Sequence, residues 1–223
     1  MNILAIDTAA NLCAACVYDR AAGEVKSRVV LDIGKGHAEH VMDVVERALN
    51  ESGLTYRQIK AVAVNSGPGS FTGVRVGISA ARGIGLAHNR QTCGVNALDA
   101  LAFEALEKYP GRSVLVATGN RDESLACLGV DGTSEFPFVN YELLSADEAR
   151  EKLGRDTILV GDGGCRIARA LGRDCDFDSA TADITSFARL AAKAQGTIPA
   201  VPLYLRDPDA KPQSDFALAI KGI

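Results

Sequence analysis

The sequence predicts an α/β protein of two stacked lobes, the second shorter than the first. Short apolar runs of strand length alternate with helical stretches through the whole chain. Three strand-like runs come first, before any helix, and a second group of strands starts again after Pro110-Gly111. With 223 residues, 47% of them hydrophobic, the chain suffices for one large domain or two small ones. We assign 1–108 to the first lobe and 109–223 to the second, with the C-terminal tail able to return to the first.

Residues 3–6, 12–17 and 24–31 read as an antiparallel meander, separated by the turn-forming stretches 7–11 and 19–23. His37–Ser52 reads as a helix, because Val41, Val44, Val45, Ala48 and Leu49 share one face and Gly53 provides a stop. Ala61-Val62-Ala63-Val64 reads as an interior strand that Gly67, Pro68 and Gly69 terminate. Ser70 or Thr72 caps the helix that follows, 73–87, and after Val95 another runs from Asn96 or Leu98 to about Lys108. In the second lobe, 113–117, 125–130, 136–139 and 158–160 read as strands, and 146–153, 166–171 and 186–195 as helices.

Charge and cysteine usage exclude some functions. A formal charge of −4 with scattered arginines gives no footprint for a polyanion, so any service to RNA passes through a partner. There is no run of some 18 apolar residues and no charged-then-apolar leader, which predicts a soluble cytoplasmic protein without a membrane anchor. The six cysteines read as reduced core thiols. Cys13 and Cys16 match C-x-x-C, but on a strand residues three apart face opposite sides, so one zinc ion or one disulfide hardly takes both.

The segment 65–77, Asn-Ser-Gly-Pro-Gly-Ser-Phe-Thr-Gly-Val-Arg-Val-Gly, is the most informative. A glycine loop between a strand and a helix can cradle an anion on free amide groups, or can be a structural turn. It lacks the lysine of a Walker loop and the third glycine of a dinucleotide fingerprint. In the helix beyond it Gly73, Gly77, Ala81 and Gly85 recur every four residues and so line one face. Glycine in a helix costs roughly 0.5 to 1 kcal/mol relative to alanine, which asks for close backbone approach in return. That approach is to the protein's own sheet, to a helix of another subunit, or to both on different faces. His37 and His40, with Glu39 beside them, sit near a helix start at a spacing that can share a metal, without a visible third ligand. His88 reads as a cation at a helix C-terminus.

Ile3-Leu4-Ala5-Ile6-Asp7-Thr8, Gly36-His37-Ala38-Glu39, the segment 67–77 and Pro202-Leu203-Tyr204-Leu205-Arg206 together resemble the TsaB (YeaZ) family over nearly the whole chain, 67–77 being the specific part. The resemblance implies an actin/hexokinase/Hsp70-like (ASKHA) fold and a non-catalytic paralogue of TsaD, assisted by the small ATPase TsaE. TsaD transfers a threonylcarbamoyl group from threonylcarbamoyl-AMP to N6 of the adenosine at position 37, beside the anticodon, of tRNAs reading codons that start with A. It also implies lost ATP binding and hence no cofactor; the chain's charge leaves only indirect contact with tRNA, and alone the chain can self-associate as a homodimer through the small-residue stripe.

The residues test that demotion. TsaD-like enzymes carry two metal-binding histidines four residues apart, where this chain has Ala97 and Leu101. ATP-using members hold phosphate on an Asp followed by a glycine turn; Asp7 and Thr8 keep the acid without the glycine, and Gly161 and Gly163 are the candidates for the second turn. These four are candidates for vestigial cofactor positions, the alternative at 161–164 being a plain structural turn. The chain also reads Gly119-Asn120-Arg121-Asp122-Glu123-Ser124-Leu125 where the family has Asp-Ala-Arg followed by Glu-Val-Tyr, keeping the arginine and not the aromatic. The expected partner surface is the outer face of the two N-terminal helices, with His37, His40, Gly73, Gly77, Ala81 and Gly85 on it and Glu46, Arg47, Arg75 and Arg82 setting register at the rim. Two other classes remain: a small-molecule kinase or ATPase using magnesium at Asp7, and a metallopeptidase, which the missing histidines oppose more strongly.

Overall fold

A computed structural model describes residues 1–138, 140–175, 177–194 and 198–205. The meander is present as β1 (Asn2–Asp7), β2 (Leu12–Asp19) and β3 (Glu24–Asp32), paired antiparallel. On its other edge β1 pairs in parallel with β4 (Ile59–Asn65), and β4 with β5 (Gln91–Val95), giving the order β3-β2-β1-β4-β5. The second sheet contains β6 (Val114–Thr118), β7 (Leu125–Val130), β8 (Tyr141–Leu144) and β9 (Ile158–Val160) in the order β8-β7-β6-β9. Its two antiparallel pairs and one parallel pair repeat the first sheet without the outermost parallel strand.

The helices are α1 (His37–Ser52), α2 (Phe71–His88), α3 (Ala97–Lys108), α4 (Ala146–Glu151), α5 (Gly161–Ala170) and α6 (Ile184–Ala194). Alternation along each strand sorts them into layers. Leu4 and Ile6 face α1 and α2 on one side of the first sheet, whereas Ile3 and Ala5 face a core shared with the second sheet. Two helices in that shared core are exchanged: α3 packs on β6, β7 and β9, and α6 packs on β1, β2, β4 and β5. The far side of the second sheet carries α4 and α5 over Leu115, Ala117 and Leu159. Among the described residues no helix is long and apolar enough to cross a membrane.

Local chemistry fixes the helix ends. Gly53 ends α1 in the left-handed conformation at φ 68°, and Ser70 caps α2 by accepting from the Gly73 N–H at 3.2 Å. Three expectations need correction. Residues 136–138 form no strand, Val139 lies outside the described residues, and the strand is Tyr141–Leu144 instead. Pro137 has no N–H for a ladder, and Phe138 is drawn into the shared core. The glycines at 161–164 form the first turn of α5 rather than a loop before it. Cys165 and Cys175 are joined in a disulfide, because the turn after α5 doubles back and brings their Cα atoms to 5.3 Å. Cys13, Cys16, Cys93 and Cys127 are free and buried, Cys13 and Cys16 on opposite faces of β2. The helix expected over 186–195 is described as Ile184–Ala194; Gln195 and Arg206 lie outside the described residues.

Candidate functional site

The first candidate region is the end of the first sheet, where a phosphate would meet Asp7. Its carboxylate is fully occupied by the chain itself. Oδ1 accepts from the Ala9 N–H at 2.8 Å and from Asn65 Nδ2 at 2.9 Å, and Oδ2 accepts from the Thr181 hydroxyl at 2.6 Å. Burial pushes the Asp7 carboxyl above the ordinary aspartate value, against the pull of Thr181, Ala9, Asn65 and His37. Thr8 donates its hydroxyl to the Gly73 carbonyl at 2.7 Å. Two of the loop amides are engaged too: Gly67 N–H donates to Asn65 Oδ1 at 2.8 Å, and Ser70 N–H to the Ala9 carbonyl at 2.7 Å. With the Thr8–Gly73 bond, the Ser70–Ala9 contact makes the loop a clamp between the end of β1 and the start of α2.

The small-residue stripe explains the tightness of that clamp. A Cβ on Gly73 would lie 2.1 Å from the Thr8 carbonyl oxygen, and one on Gly77 2.6 Å from Thr8 Oγ1. A Cβ on Gly85 would lie 2.6 Å from the Thr92 side chain, and Ala81 is fully buried. Of the two readings of the stripe, packing on the protein's own sheet is the one realised. Gly73, Gly77, Ala81 and Gly85 therefore leave the expected outward surface. His37 leaves it as well, being buried at the start of α1 with no hydrogen-bond partner for Nε2 among the described residues.

At the corresponding end of the second sheet the same closure recurs. Cβ atoms on Gly161 and Gly163 would meet the Ala117 carbonyl oxygen at 2.4 and 3.0 Å. Gly161 N–H donates to the Phe177 carbonyl at 2.9 Å, Asp162 N–H donates to the Ser179 carbonyl at 3.1 Å, and Asp162 Oδ1 accepts from Gly119 N–H at 3.1 Å. In the departing 119–125 segment, Asp122 accepts from Arg166 Nε at 3.0 Å. Ala97 and Leu101 are both buried in α3 and offer no ligating atom. Their neighbour Asp99 is buried among Asn96 and Tyr141, whose hydroxyl lies 2.9 Å from Oδ1; burial pushes its carboxyl up to about 7. Among the described residues no three His, Cys, Asp or Glu side chains converge as a metal would require.

The second candidate region is an open groove between α1 and α2. Val41, Met42, Phe71, Val76 and Ala80 line its wider part, and Glu46, Tyr56, Gly83, Ile84 and His88 continue it. Met42 and Phe71 are 41% and 43% exposed, which is unusual for apolar residues on two adjoining helices. His40, Glu46 and Arg47 are exposed on α1. Arg75 lines the groove while stacking over the Phe71 ring at 3.7 Å and donating to the Tyr204 hydroxyl at 2.8 Å. Arg82 donates to the Ala200 carbonyl at 2.7 Å. Both arginines thus strap the segment 198–205 along α2. His88 ends α2 as expected and stacks on Tyr56, the ring centroids 5.0 Å apart.

Sequence reasoning missed Thr181, Asn65 and Tyr141, which meet their acids only through long-range folding. It also missed the groove's apolar lining. Met42, Val76 and Ala80 fall beside the apolar stripes of α1 and α2, and that excess width was the signal available.

Two tandem repeats of one strand order, each capped by a helix pressed on the end of its first strand, define an α/β protein of the ASKHA class. A family model described as TsaD, tRNA N6-adenosine threonylcarbamoyltransferase, matches residues 32–136. The tRNA threonylcarbamoyladenosine biosynthesis protein TsaB of Buchnera aphidicola is 29% identical over 177 residues, covering 75% of this chain and 81% of that protein. The protein of the same name in Escherichia coli is 36% identical over 121 residues, 54% of this chain and 51% of that one. Among solved structures, YeaZ from Pseudomonas aeruginosa superposes with a TM-score of 0.73 at 25% identity, covering 91% of this chain and all of that one. The chain belongs to the TsaB (YeaZ) family.

Proposed function

We propose that this chain is a non-catalytic scaffold subunit, acting with TsaD and TsaE in transferring threonylcarbamoyl from threonylcarbamoyl-AMP to N6 of adenosine 37 of tRNAs that read codons starting with A. The observation that carries the reading is the contrast between a closed strand end and an open helix face. Asp7 is consumed by Ala9, Asn65 and Thr181, while the α1–α2 groove leaves Met42 and Phe71 in water. A helix pair of TsaD laid into that groove would form an intersubunit bundle, with Glu46, Arg47 and His40 available for register at its edge. TsaE is reached through TsaD, tRNA is touched only indirectly, and the place of action is the cytoplasm. Alone, the chain would pair with itself through the same groove. The division at 108 enters as a division by sheet, with α3 and α6 exchanged across it.

Binding of this kind acts by favouring a competent state of TsaD rather than by contact with substrate. The test is light scattering after size exclusion, on the full chain alone and mixed with the TsaD of the same organism. A species at the one-to-one mass is expected. Met42→Glu with Ala80→Glu should weaken it at least about tenfold, ~1.4 kcal/mol, while stability changes by no more than about 0.5 kcal/mol. No complex, together with magnesium-dependent ATP binding that Asp7→Ala removes, would replace this reading with an active kinase or ATPase.

A further inference from the structure

Cys165 and Cys175 stand apart from the other four cysteines. Cys165 is buried in α5, but Cys175 is half-buried on an irregular segment, its Sγ 3.4 Å from the Leu159 carbonyl. Burial pushes the thiols of Cys13 and Cys93 up to about 11 and that of Cys127 up to about 12, and raises Cys16 as well. The thiolate is the species that exchanges with disulfides, so those four are held inert as well as shielded. Only the 165/175 pair combines a partly accessible sulfur with a second sulfur at disulfide spacing.

The position of the pair gives it a consequence. Directly beyond Cys175 the chain makes the contacts that close both strand ends. The Phe177 and Ser179 carbonyls accept from Gly161 and Asp162 at the start of α5, and Thr181 donates to Asp7 on the first sheet. The cross-link therefore fastens to α5 the upstream end of the segment that α5 and Asp7 hold further along.

We propose that Cys165 and Cys175 are a reversible dithiol–disulfide site, oxidised by a small-molecule disulfide such as glutathione disulfide, and that the oxidised pair keeps residues 177–181 seated on α5 and Asp7. The Cys175 thiolate attacks one sulfur of glutathione disulfide and expels a glutathione thiolate, leaving a mixed disulfide. The Cys165 thiolate then displaces the second glutathione from the Cys175 sulfur. Two protein thiols lose two electrons and two protons, and one glutathione disulfide becomes two glutathione thiols.

The full chain is equilibrated in glutathione buffers from fully reduced to fully oxidised, alkylated, and mapped by peptide mass, with hydrogen exchange measured in parallel. Cys165 and Cys175 should lose alkylation together, while the other four cysteines react only in denaturant. Amides of residues 177–181 should exchange about tenfold more slowly in the oxidised protein, as expected when local opening is restricted. Cys175→Ser should abolish that difference. Two thiols surviving in the oxidised buffer, or a pair that forms without changing exchange at 177–181, would overturn the proposal. Comparison of the oxidised and reduced parent chain is decisive even if Cys175→Ser fails to fold.

Discussion

The two sheets are built to one order, yet the chain treats their outer faces differently. In each, a helix after a parallel strand brings a glycine onto the carbonyl at the end of the first strand: Gly73 onto Thr8, and Gly161 and Gly163 onto Ala117. On the first sheet the helices are long, 16 and 18 residues, and their outward side keeps an apolar groove. On the second they are short, 6 and 10 residues. A shared architecture thus sets the strand-end closure, and helix length and outer composition set what each half offers to other molecules. The same strand-end closure stands in both repeats, so the visible difference between them lies in their outer surfaces.

Changing the glycine of each repeat tests whether the closures are equivalent. Gly73→Ala forces a Cβ to 2.1 Å from a backbone oxygen, where nothing flexible yields, and should cost about 3 kcal/mol or more. Gly163→Ala meets the Leu125 side chain at 2.9 Å and the Ala117 oxygen at 3.0 Å, so partial relaxation should hold the cost to about 1 to 2 kcal/mol. Urea unfolding of both variants measures the gap. Equal costs would show that the two closures are alike in rigidity. By the same argument Gly77→Leu should unfold the chain instead of leaving a folded monomer unable to assemble, since its Cβ strikes Thr8.

Each repeat also buries one acid against a residue from the other side. Asp7 of β1 is met by Thr181, and Asp99 of α3 by Tyr141. Asp99 is the more readily measured, with its carboxyl pushed up to about 7 by burial, against hydrogen bonds from Tyr141 and Asn96. Its folded value lies above its unfolded one, so the native state binds the additional proton between about pH 4 and pH 7. The Asp99 contribution to stability is therefore fully present at low pH, falls as pH rises through that window by at most about 1.4 kcal/mol per unit, and is level above it. Asp99→Asn should remove this component, so the difference between parent and variant stabilities, measured by urea unfolding at pH 5 and pH 8, should change with that sign. A difference that stays flat would mean that Asp99 is ionised throughout.

Much of the first repeat was legible because its signals are local. Strand alternation, the α1 stripe from Val41 to Leu49, the stop at Gly53 and the Ser70 cap each depend on a few neighbouring residues. The second repeat was less legible where tertiary forces decided. Phe136 and Phe138 suit a strand by composition, but Pro137 between them breaks the ladder, and the pairing moves on to Tyr141. The stripe was visible, but its direction was not, because helical spacing identifies a face without saying what lies opposite. The Cys165–Cys175 contact and the Thr181–Asp7 bond depend on a turn and on a separation of 174 residues, which no local pattern encodes.

The smallest expected effect distinguishes the two sides of α2 itself. Gly73, Gly77 and Gly85 face the sheet, but Gly83 is exposed on the groove side, and a Cβ there would have nothing within 4 Å. Gly83→Ala should stabilise the isolated chain by about 0.5 to 1 kcal/mol through helix propensity and a less flexible unfolded state, raising Tm by roughly 1 to 4 °C for a chain of this size. In the proposed complex with TsaD the same methyl tests how closely the partner approaches. A helix backbone seated against Gly83 would be displaced, so affinity should fall even as Tm rises. Stabilisation with unchanged affinity would place the partner in the Met42–Ala80 part of the groove, away from Gly83. A destabilised free chain would mean that Gly83 supports α2 by a contact of its own, and the division of the helix into an inner and an outer glycine face would fail.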